Sequence, residues 1–263
     1  MYAIADIRQA FANVRGWSYL ARKRLQLENR GTWVGSAWIL LTFGLTGTGI
    51  GVLMAQLQGR ALGEHVPYVL FGFVAFNFMC HAMTGGANVM VSSKPYLLQM
   101  PTPRSVFVLS MVLRSFYLLV LQLITASAIA ALLGWRPDFQ ALWAMPALAV
   151  YAIAAFSVAM TLGLLCARYR DLTRLIESGM RLAFFFTPIM WHADSTRGTA
   201  DGLIGFIMLW NPFTYALQAF RDGLLGQPPD PINWIVLGSI TLAFTITGFV
   251  ALNGLGRRVT YWL

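Results

Sequence analysis

The chain has 263 residues and a net charge of +9, yet charged residues make up only 11% of it and hydrophobic residues 57%, with a mean hydropathy of +0.62. A soluble domain carries about 25% charged residues, so these side chains cannot cover a water-facing surface and an integral membrane protein is expected. The apolar residues run in long blocks and do not alternate in short strands, which argues against an outer-membrane barrel. The basic excess reads as the loop charge of a membrane protein, with no nucleic acid as a partner.

The first thirty residues are polar. Ile4, Ile7, Phe11 and Val14 fall at i, i+3, i+7 and i+10, one helical stripe, which Gly16 interrupts. Trp17, Leu20 and Leu27 continue beside Arg22, Lys23 and Arg24. Residues 1–30 are therefore expected to be an amphipathic arm lying on the cytoplasmic leaflet. Its basic cluster serves either to hold anionic lipid or as a docking platform for a cytoplasmic partner. No cleavable signal peptide is expected, because the apolar run that follows is too long for one.

Charge-free runs then punctuate the chain: Gly31–Gly59, His65–Ser93, Ser115–Trp135, Phe139–Ala167 and Pro231–Gly256. Each holds the ~20 residues that a spanning helix needs. The run Leu182–Ala193 is too short unless its helix starts near Thr173 and carries Glu177 and Arg181 inside it. The run Gly202–Phe220 has Asn211-Pro212 in its middle, and proline breaks a helix interior. Both ends of the chain are basic, so both are placed in the cytoplasm and the number of spans is even. Six transmembrane helices result, in one all-α membrane domain over residues 31–263. The segment near 202–224 becomes an outer re-entrant hairpin. Fourteen of the 19 basic residues then fall on inner segments and four, Arg60, Arg136, Arg197 and Arg221, on outer ones.

Several features inside the spans carry chemistry or packing. Gly47 and Gly51 form GxxxG, read as close helix packing. Arg114 lies about ten residues into the third span, facing either an interior partner or snorkelling inward. The inner loop Ser92–Arg104 holds Pro95, Pro101 and Pro103, which interrupt continuous helix. Cys80 and Cys166 form no disulfide framework. Neither lysine follows a GxxxxGK[ST] pattern, so no P-loop is present. His81 beside Cys80 reads as a packing or cavity residue, since zinc needs three or four converging ligands. The acids of the outer loops form no catalytic pair, and no metal is expected.

The stretch Arg30–Trp38 reads RGTWVGSAW, and Ala167–Leu172 reads ARYRDL. Thr187–Trp191 reads TPIMW, Trp210–Phe213 reads WNPF, Arg221–Gly226 reads RDGLLG, and Arg257–Leu263 reads RRVTYWL. In order and spacing these fragments resemble the membrane subunit of type-2 ABC exporters for bacterial O-antigen and capsular polysaccharide. That resemblance implies a permease homodimer in the inner membrane, exporting a lipid-linked polysaccharide. It implies two separate ABC ATPase subunits, which bind the ATP and magnesium, so that this chain needs no cofactor and is no enzyme. It also favours ATPase coupling for the stiff loop residues Pro95, Tyr96, Leu97, Pro101 and Arg104. Arg22, Lys23 and Arg24 on the arm, and Arg168, Arg170 and Asp171, are further coupling candidates. Other readings are a permease for teichoic acid, a lipid or a drug, and a membrane-embedded transferase.

Glu177, Arg181, Phe184, Pro188 and Trp191 are expected to share one stripe of the fifth span. Such a stripe, charged inside and aromatic outside, suits a conduit for sugars, with Trp38 a further lining residue. The competing reading is an i,i+4 ion pair with packing and belt aromatics.

Overall fold

A computed structural model describes residues 2–28, 35, 37–99, 102–191, 210–256 and 258–262. Every regular element among them is helical: α1 (Tyr2–Ala12), α2 (Val14–Glu28), α3 (Ala37–Gln58), α4 (Leu62–Ser92), α5 (Lys94–Gln99), α6 (Arg104–Leu132), a 3-10 turn (Phe139–Trp143), α7 (Ala144–Arg168), α8 (Asp171–Phe186), α9 (Pro212–Leu224), α10 (Pro231–Leu255) and α11 (Val259–Trp262). Among the described residues, five stretches are long and apolar enough to cross a membrane: α3, α4 with α5, α6, the 3-10 turn with α7, and α10. They coincide with the five long charge-free runs. The protein is an all-α polytopic membrane protein.

The centre is α4. About 78% of its most apolar window is buried, against 22% for α3 and α10, so those two flank the bundle. Small residues let the backbones approach. A Cβ on Gly51 would lie 3.2 Å from the Val66 Cα, and one on Gly86 only 2.7 Å from the Ala159 Cα. The GxxxG of α3 thus packs on α4, as expected, and Gly86 does the same for α4 against α7.

The arm departs from its sequence reading in detail. It breaks at Asn13, not Gly16: the Asn13 Oδ1 accepts from the Gly16 N–H at 3.1 Å and caps α2. A Cβ on Gly16 would fall 2.6 Å from that oxygen, so the Asn13 side chain packs directly against the glycine. Ala3, Asp6 and Ala10 face the bundle and are buried. Ile4, Phe11 and Val14 of the expected stripe point outward and are exposed.

The N-terminus of α6 has no side-chain cap of its own. Asp6 supplies one from α1. Its Oδ1 accepts from the Arg104 N–H at 3.0 Å, and its Oδ2 from the Ser105 N–H at 2.9 Å and the Ser105 hydroxyl at 2.7 Å. A carboxylate there answers both the open donors and the helix dipole.

The fifth path is the largest correction. With 16 residues, α8 is about 24 Å long, short of the ~30 Å hydrocarbon core. It ends because Thr187 precedes a proline and turns extended, with ψ 133°. The chain still runs beside α4: the Asn88 amide donates to Glu177, Phe184 packs on Phe76 and Phe73, and the Tyr68 hydroxyl donates to the Trp191 carbonyl. Helix to Phe186 and non-helical backbone to Trp191 together replace the single expected helix. Pro188 and Trp191 therefore do not continue the helical stripe of Glu177, Arg181 and Phe184.

Non-helical backbone at membrane depth must be satisfied by protein. Here the Asn211 Nδ2 donates to the Phe186 carbonyl, the Arg221 Nη1 to the Pro188 carbonyl at 2.9 Å, and the Gln58 Nε2 to the Met190 carbonyl. Arg221 was expected in an outer loop. Instead it is buried, with its guanidinium 3.7 Å from the centre of the Tyr68 ring. It sits on α9, whose start is capped by Asn211 and whose last carbonyl, of Leu224, accepts from the Trp135 indole. At 13 residues α9 is too short to span. Residues 202–209 of the expected hairpin lie outside the described residues.

Candidate functional site

A groove of about 430 Å³ opens between α3, α4 and α6. Its lining is mixed. Trp38, Ile39, Phe43 and Phe73 are apolar, while Thr42, Thr46, Asn77 and Gln122 are polar. All four polar residues fall inside helices with membrane-spanning character. The Asn77 Nδ2 donates to the Gln122 Oε1 at 3.4 Å, tying α4 to α6. Trp38 is 59% exposed, so its ring lies open on the rim. An aromatic face beside neutral donors and acceptors can bind a sugar ring by stacking and hydrogen bonding, without a fixed charge to hold it.

Of the expected lining residues, Trp38 belongs to this groove and Phe184 adjoins it through Phe73, at 5.6 Å between ring centres. Glu177 and Arg181 sit lower on α8. They bond elsewhere instead of to each other: Glu177 accepts from Asn88 at 3.3 Å, and the Arg181 Nη2 donates to the Ser178 hydroxyl at 3.1 Å. Trp191 lies past the helix, near Tyr68. Sequence reading missed Asn77 and Gln122, because it searched for charges; an amide within an apolar run was the available signal.

The opposite end of α4 gathers most of the coupling candidates. The Arg24 Nη2 donates to the Ser93 hydroxyl at 2.7 Å, which fastens α2 to the α4–α5 corner. Pro95 does not interrupt a helix here; it sits in the first turn of α5, where its missing N–H costs nothing. Leu97 is buried and holds α5 down, while Tyr96 is half exposed and packs near Phe107. The Arg104 side chain donates to Thr260 of α11, and the Arg168 guanidinium lies over the Tyr169 and Trp262 rings. Arg170 and Asp171 start α8 and are exposed. Arg22 faces a cavity between α2 and α6, and Lys23 points outward. Pro101, Arg30 and Arg257 lie outside the described residues. Among the described residues no cluster of His, Cys, Asp or Glu could hold a metal ion.

Comparison with known proteins gives two findings. The ABC-2 type transporter family matches residues 16–225. Two proteins from Klebsiella pneumoniae, each an O-antigen export system permease protein RfbA, align with 91% of this chain and 91% of their own length, at 23% and 21% identity.

Proposed function

This chain belongs to the ABC-2 type transporter family, and from that premise we propose that it is the permease through which a lipid-linked polysaccharide, an O-antigen or a capsule, crosses the bacterial inner membrane. The observation that carries the substrate class is the end-to-end alignment with two O-antigen export permeases. The family makes the chain a transport subunit, so the transferase reading falls away.

Residues 1–30 act as the interface arm and residues 31–263 as the permease domain, with six crossings and both termini in the cytoplasm. Five crossings are the long helices, and α8 with Thr187–Trp191 is the sixth. Two ABC ATPase subunits dock on the end that carries Arg24, Pro95, Tyr96, Leu97, Arg104, Arg168, Arg170 and Asp171. They bind the ATP and magnesium. Two copies of the permease face each other across the Trp38 groove, which is open in a single chain. The outward apolar residues of α10, such as Ile235, Leu242 and Val250, meet lipid. Trp38, Phe184 and Trp191 offer ring faces to passing sugars, and Glu177 and Arg181 mark the inner mouth.

The test is reconstitution of the permease with its ATPase and measurement of glycan delivered across the membrane. Assembly of the Trp38→Ala complex is checked by size-exclusion chromatography, and in the assembled complex delivery drops by about tenfold if roughly 1.4 kcal/mol of stacking is lost. Delivery at the wild-type rate would remove Trp38 from the route.

A further inference from the structure

On α4, Asn77, His81, Thr84 and Asn88 recur at i, i+4, i+7 and i+11, which places them on one helix face. Ser92 continues that face one turn further. The other faces of α4 are closed by residues such as Val69, Leu70, Phe71, Val74 and Phe78. Asn77, His81, Thr84 and Asn88 are each only half buried, and Ser92 is exposed. The most buried span of the molecule thus keeps one polar face open.

The two ends of this face meet the elements already described. Below, Asn88 donates to Glu177 on α8. Above, Asn77 donates to Gln122 in the groove of Trp38, Thr42 and Thr46. Neither contact uses up the groups involved: Asn88, whose Nδ2 also donates to the Thr84 carbonyl at 3.4 Å, keeps its amide oxygen, and Asn77 keeps one donor and its oxygen. A side-chain amide has two donors and two acceptor sites, and the Thr84 hydroxyl, which donates to the Cys80 carbonyl, still has lone pairs to offer. Hydrocarbon can satisfy none of these. The face between its ends carries neutral amide and hydroxyl groups with one imidazole, and Glu177 is the acid at its lower end.

We propose that this face of α4 is a hydrated track, from Ser92 and Asn88 through Thr84 and His81 to Asn77, along which the hydroxyls of the exported glycan are passed from Glu177 to the Trp38 groove. It rests on the polysaccharide-export reading. Neutral, repeated, shallow contacts suit a chain that must slide through every register, because each is favourable for entry and weak enough for release. The competing role for the same side chains is interhelical hydrogen bonding alone. That role needs no water and no half-open Thr84.

The experiment uses the permease assembled with its ATPase, in a background of Cys80→Ala and Cys166→Ala. Thr84→Cys is exposed to a cationic, water-soluble methanethiosulfonate reagent, beside Ile153→Cys on the outward face of α7. Thr84→Cys is expected to react at least about tenfold faster, the factor that 1.4 kcal/mol of easier access corresponds to. In parallel, Asn77→Leu and the near-isosteric Thr84→Val are each expected to lower glycan delivery by about tenfold, as removal of one such contact does. Equal labelling of the two cysteines overturns the proposal, whatever the variants do. Full delivery by Thr84→Val and Asn77→Leu overturns it as well. If the wild-type complex itself delivers no glycan, the export reading has failed and takes this proposal with it, a result distinguished from the others by the wild-type control.

Discussion

Arg221 and Asp6 show how single charges organise this protein. A guanidinium buried at membrane depth is costly unless its donors are used. Arg221 gives Nη1 to the Pro188 carbonyl and places its guanidinium 3.7 Å from the Tyr68 ring centre, while its Nε makes no hydrogen bond, so it ties the non-helical stretch to α4 and α9 at once. Arg221→Met should lower stability by on the order of 2 kcal/mol, from the lost cation–π contact and the unpaired carbonyl. Arg221→Lys should recover little of it, because a compact ammonium cannot keep the Tyr68 contact and the Pro188 hydrogen bond at once as the broader guanidinium does. Thermal unfolding of the purified permease in detergent checks both, and a wild-type melting curve for Arg221→Met would remove the clamp. Asp6 caps a helix that is almost a hundred residues away in sequence. Asp6→Ala should cost about 1 kcal/mol and should loosen α1. The expected readout is faster tryptic cleavage at Arg15 in the variant.

At the scale of elements, neither α8 nor α9 is long enough to span a bilayer as a helix by itself. Both are amphipathic and short, and Asn211 joins the end of one to the start of the other: it caps α9 and donates to Phe186 and Thr187 of the α8 end. Tyr151 then holds α9 against α7, with its hydroxyl on the Ala216 carbonyl at 2.7 Å and its ring stacked on Phe78 and Phe220. If α9 returns to the side it came from, a cysteine in place of Pro228, just past α9, should react with an impermeant reagent from outside the cell. Arg60→Cys, before α4, should react likewise, and Arg258→Cys only after the membrane is opened. Labelling of Pro228→Cys only from the inner side would make α9 part of a true crossing.

At the scale of the whole molecule, side-chain contacts tie several elements together at one end of the bundle. Arm, α5, the start of α6, the end of α7 and α11 are joined by the Arg24–Ser93, Asp6–Ser105, Arg104–Thr260 and Arg168–Trp262 contacts. These contacts connect the proposed docking end to α4 and α6, the two helices that hold the Asn77–Gln122 bond. The isolated chain should hydrolyse no ATP, and hydrolysis should appear only when the ATPase subunit is purified with it. Robust hydrolysis by the chain alone would contradict this assignment.

The sequence by itself determined what solvent can select. Long charge-free runs are a property of the chain against a bilayer, so five spanning stretches and the all-α class were legible without any contact being known. The close packing at Gly47 and Gly51 was legible too, because only a small residue serves there. Tertiary structure alone decided the fate of groups whose partners lie far along the chain. Arg221 looked like a loop charge until Pro188 and Tyr68 were brought beside it. The stripe from Glu177 to Trp191 looked like one helix, although Thr187-Pro188 could not continue it and Asn211, Gln58 and Arg221 could satisfy the break. Asn77 and Gln122 carried no charge and stood 45 residues apart, and the folding of α4 against α6 is what made them one polar groove. A buried polar group is defined by what it meets, and periodicity along one helix does not contain that information.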